Sequence, residues 1–394
     1  MNLERLELKA LAKIRSVADK RLAVCFSGGK DSLVVLDLAI RAGIDRAVFC
    51  DTTITFKQTL DYVKKIERFY GISIEVVRAP KDFFELTKIF GFPSRRLRWC
   101  CDVLKFVPMY KYAVMFGIEA FIRGVRKEES SKRLKYRYID NNPYVPILQV
   151  NPILEWSERD VWNYIDEYSL PVNPLYKLGF RRLGCWPCPF KTKKEWKLTQ
   201  QFFPELVEKL KKALWEYAEK VGIKNKWEFV DGWGWTKWIT PQSKIYFGSL
   251  EKVTYNHKND LEFILKLSKS NYIHRVLRLL PILSKEYKLL EKNKLLIPIK
   301  REREKKLIIL IEKAINCAGC GACTLMCKFN ALFIKEGIIT VDMAKCTRCL
   351  DCLKCNPFRR ACIARNYAPT KLEIIYSHSI SYKRPKEVRI TKVQ

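Results

Sequence analysis

Hydrophobic positions set the first expectations. Leu3, Leu6, Leu8, Leu11 and Ile14 recur at helical spacing, which predicts an amphipathic helix over residues 2–19. The short apolar run LAVCF (22–26) reads as a buried strand. It meets SGGKDS and a second helical pattern over 32–42. AVFCD (47–51) predicts another strand, 56–70 a helix, and ISIEVV (72–77) and EAFIRG (119–124) further strands. Strand–helix alternation of this kind predicts an α/β fold, a parallel doubly wound sheet with helices on both faces. Ligands of such sheets sit outside the carboxyl ends of the strands, where Ser27–Ser32, Asp51 and Gly124–Arg126 fall.

From about residue 190 the pattern changes. Six of the ten Trp lie between Trp196 and Trp238, and NKWEFVDGWGWTKWITP is dense in aromatics and lysine. Such residues can stack on bases, but as a rule they are packing residues, and that is the reading taken here. Helices are predicted over 258–270 and 283–295, and KREREKK (300–306) reads as a solvated helix or linker. The resulting parse is a nucleotide-loop domain over 1–190, a mixed α-rich Lys/Trp module over 191–306, a compact Cys-rich domain over 307–363 and a basic tail over 364–394.

Composition narrows the class. A chain of 394 residues with 48% apolar and 29% charged residues is globular and long enough for two to four domains. No apolar run reaches the roughly 18 residues of a membrane span. The charged N-terminus does not read as a signal peptide, so the expectation is a cytoplasmic protein without membrane contact. Fifteen Cys in that setting point to metal or redox chemistry rather than disulfides. A net charge of +32 draws polyanions, tRNA among them.

Ser27-Gly28-Gly29-Lys30-Asp31-Ser32 follows a strand and opens a helix. Two glycines let the backbone approach an anion, and the helix N-terminus offers free N–H groups and a positive dipole end. Ser27 and Ser32 add hydroxyls and Lys30 adds charge. Arg123 and Arg126 supply guanidinium forks suited to phosphate or sulfate. Arg95, Arg96 and Arg98 are lesser candidates.

These segments resemble the PP-loop (HUP-like) superfamily of adenine-nucleotide enzymes, and within it the phosphoadenylyl-sulfate/adenylyl-sulfate reductases. SGGKDS is similar to the PP-loop itself. Asp51-Thr52-Thr53 with Phe56 and Thr59 resembles a DTG-x-x-F-x-x-T segment, with Thr53 at the usual glycine. Arg123-Gly124-Val125-Arg126 through Ser130 resembles a G-x-R-x-x-x-S element. Residues 151–162, and Pro171, Asn173, Pro174, Leu175 and Tyr176, resemble two further elements. The resemblance covers about 20–190 and implies that the loop holds the phosphate or sulfate end of an adenylylated anion.

Cysteines divide into two sets. Cys100-Cys101 and the distant Cys185-x2-Cys188 make four thiolates in two pairs, enough for a tetrahedral zinc or a [4Fe–4S] cluster. Resemblance to the adenylyl-sulfate reductases implies the cluster, with zinc as the lesser option. Cys317, Cys320, Cys323 and Cys327, then Cys346, Cys349, Cys352 and Cys355, resemble the bacterial two-cluster ferredoxin. There the fourth Cys of each run serves the other cluster, and ALFIKEGIITVD forms the joining hairpin. Lys328 stands where proline usually follows, and Cys362 is the alternative to Cys355 as eighth ligand.

The implied function is an iron–sulfur oxidoreductase that reduces adenylylated sulfate, plain or 3′-phosphorylated, to sulfite, drawing electrons through its own ferredoxin-like domain from an external donor. The family's C-terminal CG-x-H nucleophile motif is missing. Cys25 and Cys50 read as packing residues, which leaves Cys355 or Cys362 as the remaining nucleophile candidate. Two other functions use the same loop: ATP-dependent thiolation of tRNA with Asp31 positioning magnesium, and a non-catalytic nucleotide-binding electron carrier or RNA-associated protein.

Overall fold

The computed structural model describes residues 2–141, 147–237, 245–254, 260–284, 286–354, 370–376 and 391–392. The chain divides into two compact units: Met1–Phe84 with Pro93–Trp238, and Glu85–Phe92 with Ile239–Gln394.

In the first unit, α1 (Leu3–Arg15) precedes β1 (Leu22–Phe26), α2 (Lys30–Arg41), β2 (Ala47–Asp51), α3 (Lys57–Tyr70) and β3 (Ile74–Arg78). Helix α4 (Phe83–Phe90) spans the boundary between the units. It is followed by the short α5 (Trp99–Cys101), a π-helical stretch Asp102–Phe106 and α6 (Val107–Phe116). Then come β4 (Ala120–Arg123), β5 (Ile139–Asn141), β6 (Leu148–Val150), α7 (Glu158–Glu167), α8 (Lys193–Phe202), α9 (Pro204–Lys220) and α10 (Lys226–Val230). The sheet order is β3-β2-β1-β4-β6-β5, parallel except for β5. Strand order therefore reverses between β1 and β4, and ligands of such sheets bind outside the strand carboxyl ends at that point.

The central strands β1, β2 and β4 are buried because both faces are covered. Val24, Phe26, Ala47, Phe49, Ala120 and Ile122 join a core with Leu33–Leu36 of α2, Val161 and Tyr164 of α7 and Leu6, Ala10 and Ile14 of α1. One buried polar knot ties these helices. The Tyr70 and Tyr164 hydroxyls donate to the two oxygens of Asp37 at 2.8 and 2.6 Å. Arg41 donates to the Tyr164 hydroxyl at 2.9 Å and pairs with Glu7, which also accepts from the Tyr168 hydroxyl. Burial and the Asp37 carboxylate push both tyrosine hydroxyls well above their ordinary range.

In the second unit, β7 (Ile245–Thr254), β8 (Asp260–Leu267), α11 (Asn271–Leu277), β9 (Glu286–Glu291), β10 (Lys294–Lys300) and α12 (Glu304–Ile315) are followed by the hairpin β11 (Leu332–Lys335) and β12 (Ile338–Val341), α13 (Asp351–Lys354), β13 (Thr370–Tyr376) and β14 (Thr391–Lys392). Its larger sheet runs β13-β7-β8-β10-β9-β14, antiparallel except for the β13–β7 pair. Leu307, Leu310, Ile311 and Ala314 of α12 bury against Leu265, Ile297, Leu332 and Ile339.

Two expectations are corrected. In place of the helices predicted over 258–270 and 283–295 stand β8, β9 and the start of β10, with turns, bends and irregular chain at the remaining described residues of those ranges. Leu261, Phe263, Leu265 and Leu267 alternate inward, as do Leu295, Ile297 and Ile299. A two-residue period was present, and the flanking lysines disguised it as a helical face. Asn293 closes the β9–β10 turn and locks it to β8, donating from its side chain to the Leu267 carbonyl at 2.8 Å. Nor is 191–306 one module. α8–α10 belong to the first unit, where Trp196 packs on Trp233 at 4.2 Å and the Arg95 amide bonds the Thr236 carbonyl, whereas residues from 239 on belong to the second. Trp196 and Trp235 are buried, but Trp215 and Trp227 are exposed.

Replacing Asp37 with alanine strands two buried tyrosine hydroxyls and is expected to cost about 2–4 kcal/mol. A fall in the urea midpoint at unchanged slope would show it.

Candidate functional site

The loop after β1 is shaped by contacts from three other segments. Gly28 has φ 77° and lies so close to α3 that a Cβ there would stand 2.7 Å from the Thr59 methyl. The Gly28 carbonyl accepts from the Asn173 side-chain amide at 3.2 Å, which also donates to the Thr59 hydroxyl at 3.1 Å. The Lys30 amide donates to the Tyr176 hydroxyl at 2.8 Å, the Ser27 amide to the Ser32 hydroxyl at 3.1 Å, and that hydroxyl in turn to the Gly29 carbonyl at 2.8 Å. Asn173 and Tyr176, quoted above only as a motif, are thus the braces of the loop. Gly124 closes the other side. A Cβ there would meet the Asp31 carbonyl oxygen at 2.4 Å and the Ser32 amide nitrogen at 2.7 Å.

Asp51 faces its own loop. Its carboxylate accepts the Thr53 amide at 2.9 Å and lies 3.7 Å from Arg78. Thr53 has φ 64°, the region that favours glycine, which gives a physical reason for the glycine usual at this place. The Thr53 hydroxyl accepts the Phe83 amide at 2.9 Å.

The three cations differ in their partners. Lys30 Nζ lies 3.4 Å from Asp31 and 3.3 Å from Glu158. The Arg126 guanidinium pairs with Asp31 and, at 2.6 Å, with Glu128. Among the described residues Arg123 forms no ion pair with a carboxylate; it donates to Asn151 Oδ1 at 3.1 Å, and its Nε is buried without a hydrogen-bond acceptor. Burial pushes its pKa below the ordinary value, although a guanidinium stays charged at any physiological pH. Arg123 is therefore a desolvated cation at the end of β4, and Asn151, fully buried, is a site residue that the sequence reading did not single out. Arg95 and Arg98 turn elsewhere: Arg95 Nε donates to the Pro189 carbonyl at 3.0 Å, and Arg98 donates to Cys101 Sγ at 3.4 Å with its guanidinium over the Phe190 ring. Arg96 is exposed.

The split cysteines share one neighbourhood beside this loop. Cys100, Cys185 and Cys188 each feel the charge of others in the set, and Cys101 is hydrogen-bonded to Cys100. Cys185 Sγ lies 3.2 Å from the Thr52 hydroxyl, and the Trp186 amide donates to the Ile54 carbonyl at 3.0 Å, so the segment after β2 anchors the CxxC turn. Burial raises Cys185 to about 12, while the hydrogen bond from Cys100 and the Arg98 cation hold Cys101 well below the ordinary thiol range. Lys191 adds a buried ammonium 5.1 Å from the Phe56 ring centroid and 4.9 Å from that of Phe180. Four thiolate donors from two segments form a soft set of the kind that iron–sulfur clusters and zinc take. Among the described residues, no three His, Cys, Asp or Glu side chains already converge as ligands of a single ion.

In the second unit a cavity is lined by Cys327, Cys346, Cys349 and Cys352, together with Phe329 and Leu350. The Ala331 amide donates to Cys327 Sγ at 3.2 Å and the Ile339 amide to Cys317 Sγ at 3.3 Å. The buried Lys313 donates to the Cys352 carbonyl at 2.6 Å. Cys323 acts electrostatically on both Cys317 and Cys352. Cys355 and Cys362 lie outside the described residues, as does most of the 364–394 tail. Burial raises Cys25 and Cys50 to about 12, and the Cys50 thiol donates to the Leu104 carbonyl at 3.1 Å, in keeping with packing roles.

Residues 21–191 match the family model described as phosphoadenosine phosphosulfate reductase domain. An adenosine 5′-phosphosulfate reductase of Geobacillus thermodenitrificans is 31% identical over 178 residues, 44% of this chain and 74% of the relative. The chain belongs to this reductase family. An uncharacterized protein of Methanocaldococcus jannaschii is 38% identical over 242 residues, 59% of this chain, and a second is 34% identical over 215. The chain spans about half the length of these two relatives. Among solved structures, a phosphoadenylyl-sulfate reductase from Candida auris aligns over 47% of this chain and 94% of its own at 23% identity and a TM-score of 0.39. The matched region of the reductase-family chain ends at Lys191, three residues after the second CxxC cysteine. No described helix is long and apolar enough to cross a membrane.

Replacing Gly124 with alanine drives a methyl into the backbone of the Asp31 turn. Nucleotide affinity is expected to fall at least about tenfold while far-UV circular dichroism is retained. In metal-free protein, iodoacetamide is expected to label Cys101 well below the ordinary thiol pH range, and Arg98→Ala to shift that labelling to higher pH. Peptide mass mapping against pH reads both.

Proposed function

We propose that the protein reduces an adenylylated sulfate to sulfite, with the adenine nucleotide leaving and electrons arriving through iron–sulfur clusters on the same chain. One observation carries this reading. Lys30, Arg123 and Arg126 stand at the carboxyl ends of neighbouring strands, and the Thr52–Cys185 contact ties the CxxC turn to the loop after β2 at that same edge of the sheet. A cradle for an anion and a holder for a redox centre are thus adjacent.

Cleavage of the sulfur–oxygen bond takes two electrons and leaves the bridging oxygen on the nucleotide phosphate. Sulfur passes from the sulfate to the sulfite oxidation state. The loop amides and the positive end of α2 would hold the oxyanion, and Arg123, desolvated and free of a carboxylate, would meet the group where negative charge grows. Cys100, Cys101, Cys185 and Cys188 would hold one [4Fe–4S] cluster. In the second unit, Cys327 shares its cavity with Cys346, Cys349 and Cys352, a grouping that supports ferredoxin-like sorting across the two runs. Cys317, Cys320 and Cys323 would serve the other cluster, with Cys355 or Cys362 as its fourth ligand. Such clusters supply one-electron transfers, and a donor on the same chain keeps its effective concentration at roughly the millimolar level.

Anaerobically purified protein is expected to carry about twelve iron and twelve sulfide per chain, whereas zinc at the split site would lower iron to about eight. With reduced viologen and adenylyl sulfate it is expected to release sulfite and AMP one to one. ATP-to-AMP turnover that requires tRNA, without sulfite release, would overturn this reading in favour of thiolation.

A further inference from the structure

The two buried cations of the loop are enclosed in a ring of side chains. Lys30 meets Asp31 and Glu158; Asp31 meets Arg126; Arg126 meets Glu128; and Glu128 accepts the backbone amide of Glu158 at 2.7 Å, at the first turn of α7. The circuit joins the loop after β1, the turn after β4 and the start of α7. It holds two cations and three carboxylates, so its formal charge is negative.

A negative ring is a poor receptor for the anion that the preceding reading places here, and this inference rests on that reading. The three carboxylates are not equivalent. The Asp31 side chain is 18% exposed and held between Lys30 and Arg126, whereas Glu128 and Glu158 are 55% and 54% exposed. Lys30 and Arg126 are 6% and 4% exposed and have no comparable route to water. A half-exposed glutamate exchanges an ion pair for water at little cost, and a buried cation does not. Once both glutamates swing outward, Lys30, Arg126 and Asp31 leave a net positive seat at the N-terminus of α2, where the helix dipole adds to it.

We propose that Glu128 and Glu158 are a carboxylate gate: they occupy the anion seat in the empty protein, and a ligand enters only if its anionic end displaces both. The gate acts on ligand choice through Lys30 and Arg126. A multiply charged phosphosulfate displaces two half-exposed carboxylates; a neutral nucleoside gains nothing by doing so. Selectivity for the anionic end is then set against the protein's own side chains as well as by direct contacts.

The test is calorimetric binding to Glu128→Gln, Glu158→Gln and the double variant, with adenylyl sulfate, inorganic sulfate and adenosine as probes. Glutamine keeps the shape and the acceptor oxygen and removes the charge. The double variant is expected to bind adenylyl sulfate and sulfate roughly tenfold more tightly, and adenosine unchanged. A structural lesion would weaken binding, so a gain separates gating from damage. If the double variant does not fold, Glu158→Gln alone is expected to give roughly a threefold gain. Unchanged or weaker anion affinity overturns the gate. Magnesium-dependent binding in the parent protein that both substitutions abolish overturns it in favour of a cation role for these carboxylates. A gain for sulfate while no form of the protein binds adenylyl sulfate keeps the gate and removes the sulfonucleotide reading.

Discussion

Parallel pairing of β1 with β2 on one side and β4 on the other is the constraint on which the rest depends. It brings three loop origins, after Phe26, Asp51 and Arg123, to one edge of the sheet, and it reverses strand order between β1 and β4 so that the edge is open. Gly124 can then touch the Asp31 backbone, and Arg126 reaches Asp31 from the neighbouring strand end. A parallel strand pair has no tight-turn connection, so the loops after β1 and β2 are followed by α2 and α3, whose N-termini face the same edge, whereas the chain after β4 returns through two short 3-10 turns and β5. Charge recognition at this edge is a consequence of topology first and of residue choice second.

Electrostatics at that edge are more balanced than composition suggests. A chain with a net charge of +32 would be expected to leave its loop cations free. Lys30 and Arg126 instead sit among Asp31, Glu128 and Glu158, and Arg123 has an amide for company. Net charge describes the long-range field, whereas a buried cation needs local compensation whatever the field. The thiols follow similar logic. Cys101 is held low by Cys100 and Arg98, and Cys185 is pushed up by burial. One pocket thus contains thiols of opposite tendency, which metal binding would level by deprotonating all four.

The second unit shows how a small Cys-rich segment gains a core. The Cys loops bring Cys323, Leu350, Cys352 and Leu353 into that core. They are sealed by α12, whose Leu307, Leu310, Ile311 and Ala314 run under the hairpin, and by the close approach of Gly319 to the Gly337 carbonyl, where any side chain would collide. Lys313 on the same helix reaches the Cys352 carbonyl, so α12, most of which falls within the expected 307–363 domain, holds part of the Cys framework.

Sequence alone determined the elements whose signals are local: the apolar runs of β1 and β2, the helical faces of α1 and α3, the glycine loop, the Cys spacings and the hairpin between them. Each depends on neighbours a few residues apart, and those patterns survive in one dimension. Strands β8 and β9, each with a lysine among its apolar residues, read as helical faces in the sequence, and only pairing with a partner strand separates the two periods. The partition of 191–306 between units, the bracing of Gly28 by Asn173, the Asn151–Arg123 contact and the carboxylates around Lys30 and Arg126 were decided by tertiary structure. They join residues far apart along the chain, and a linear pattern carries no record of which distant side chain will compensate a buried charge.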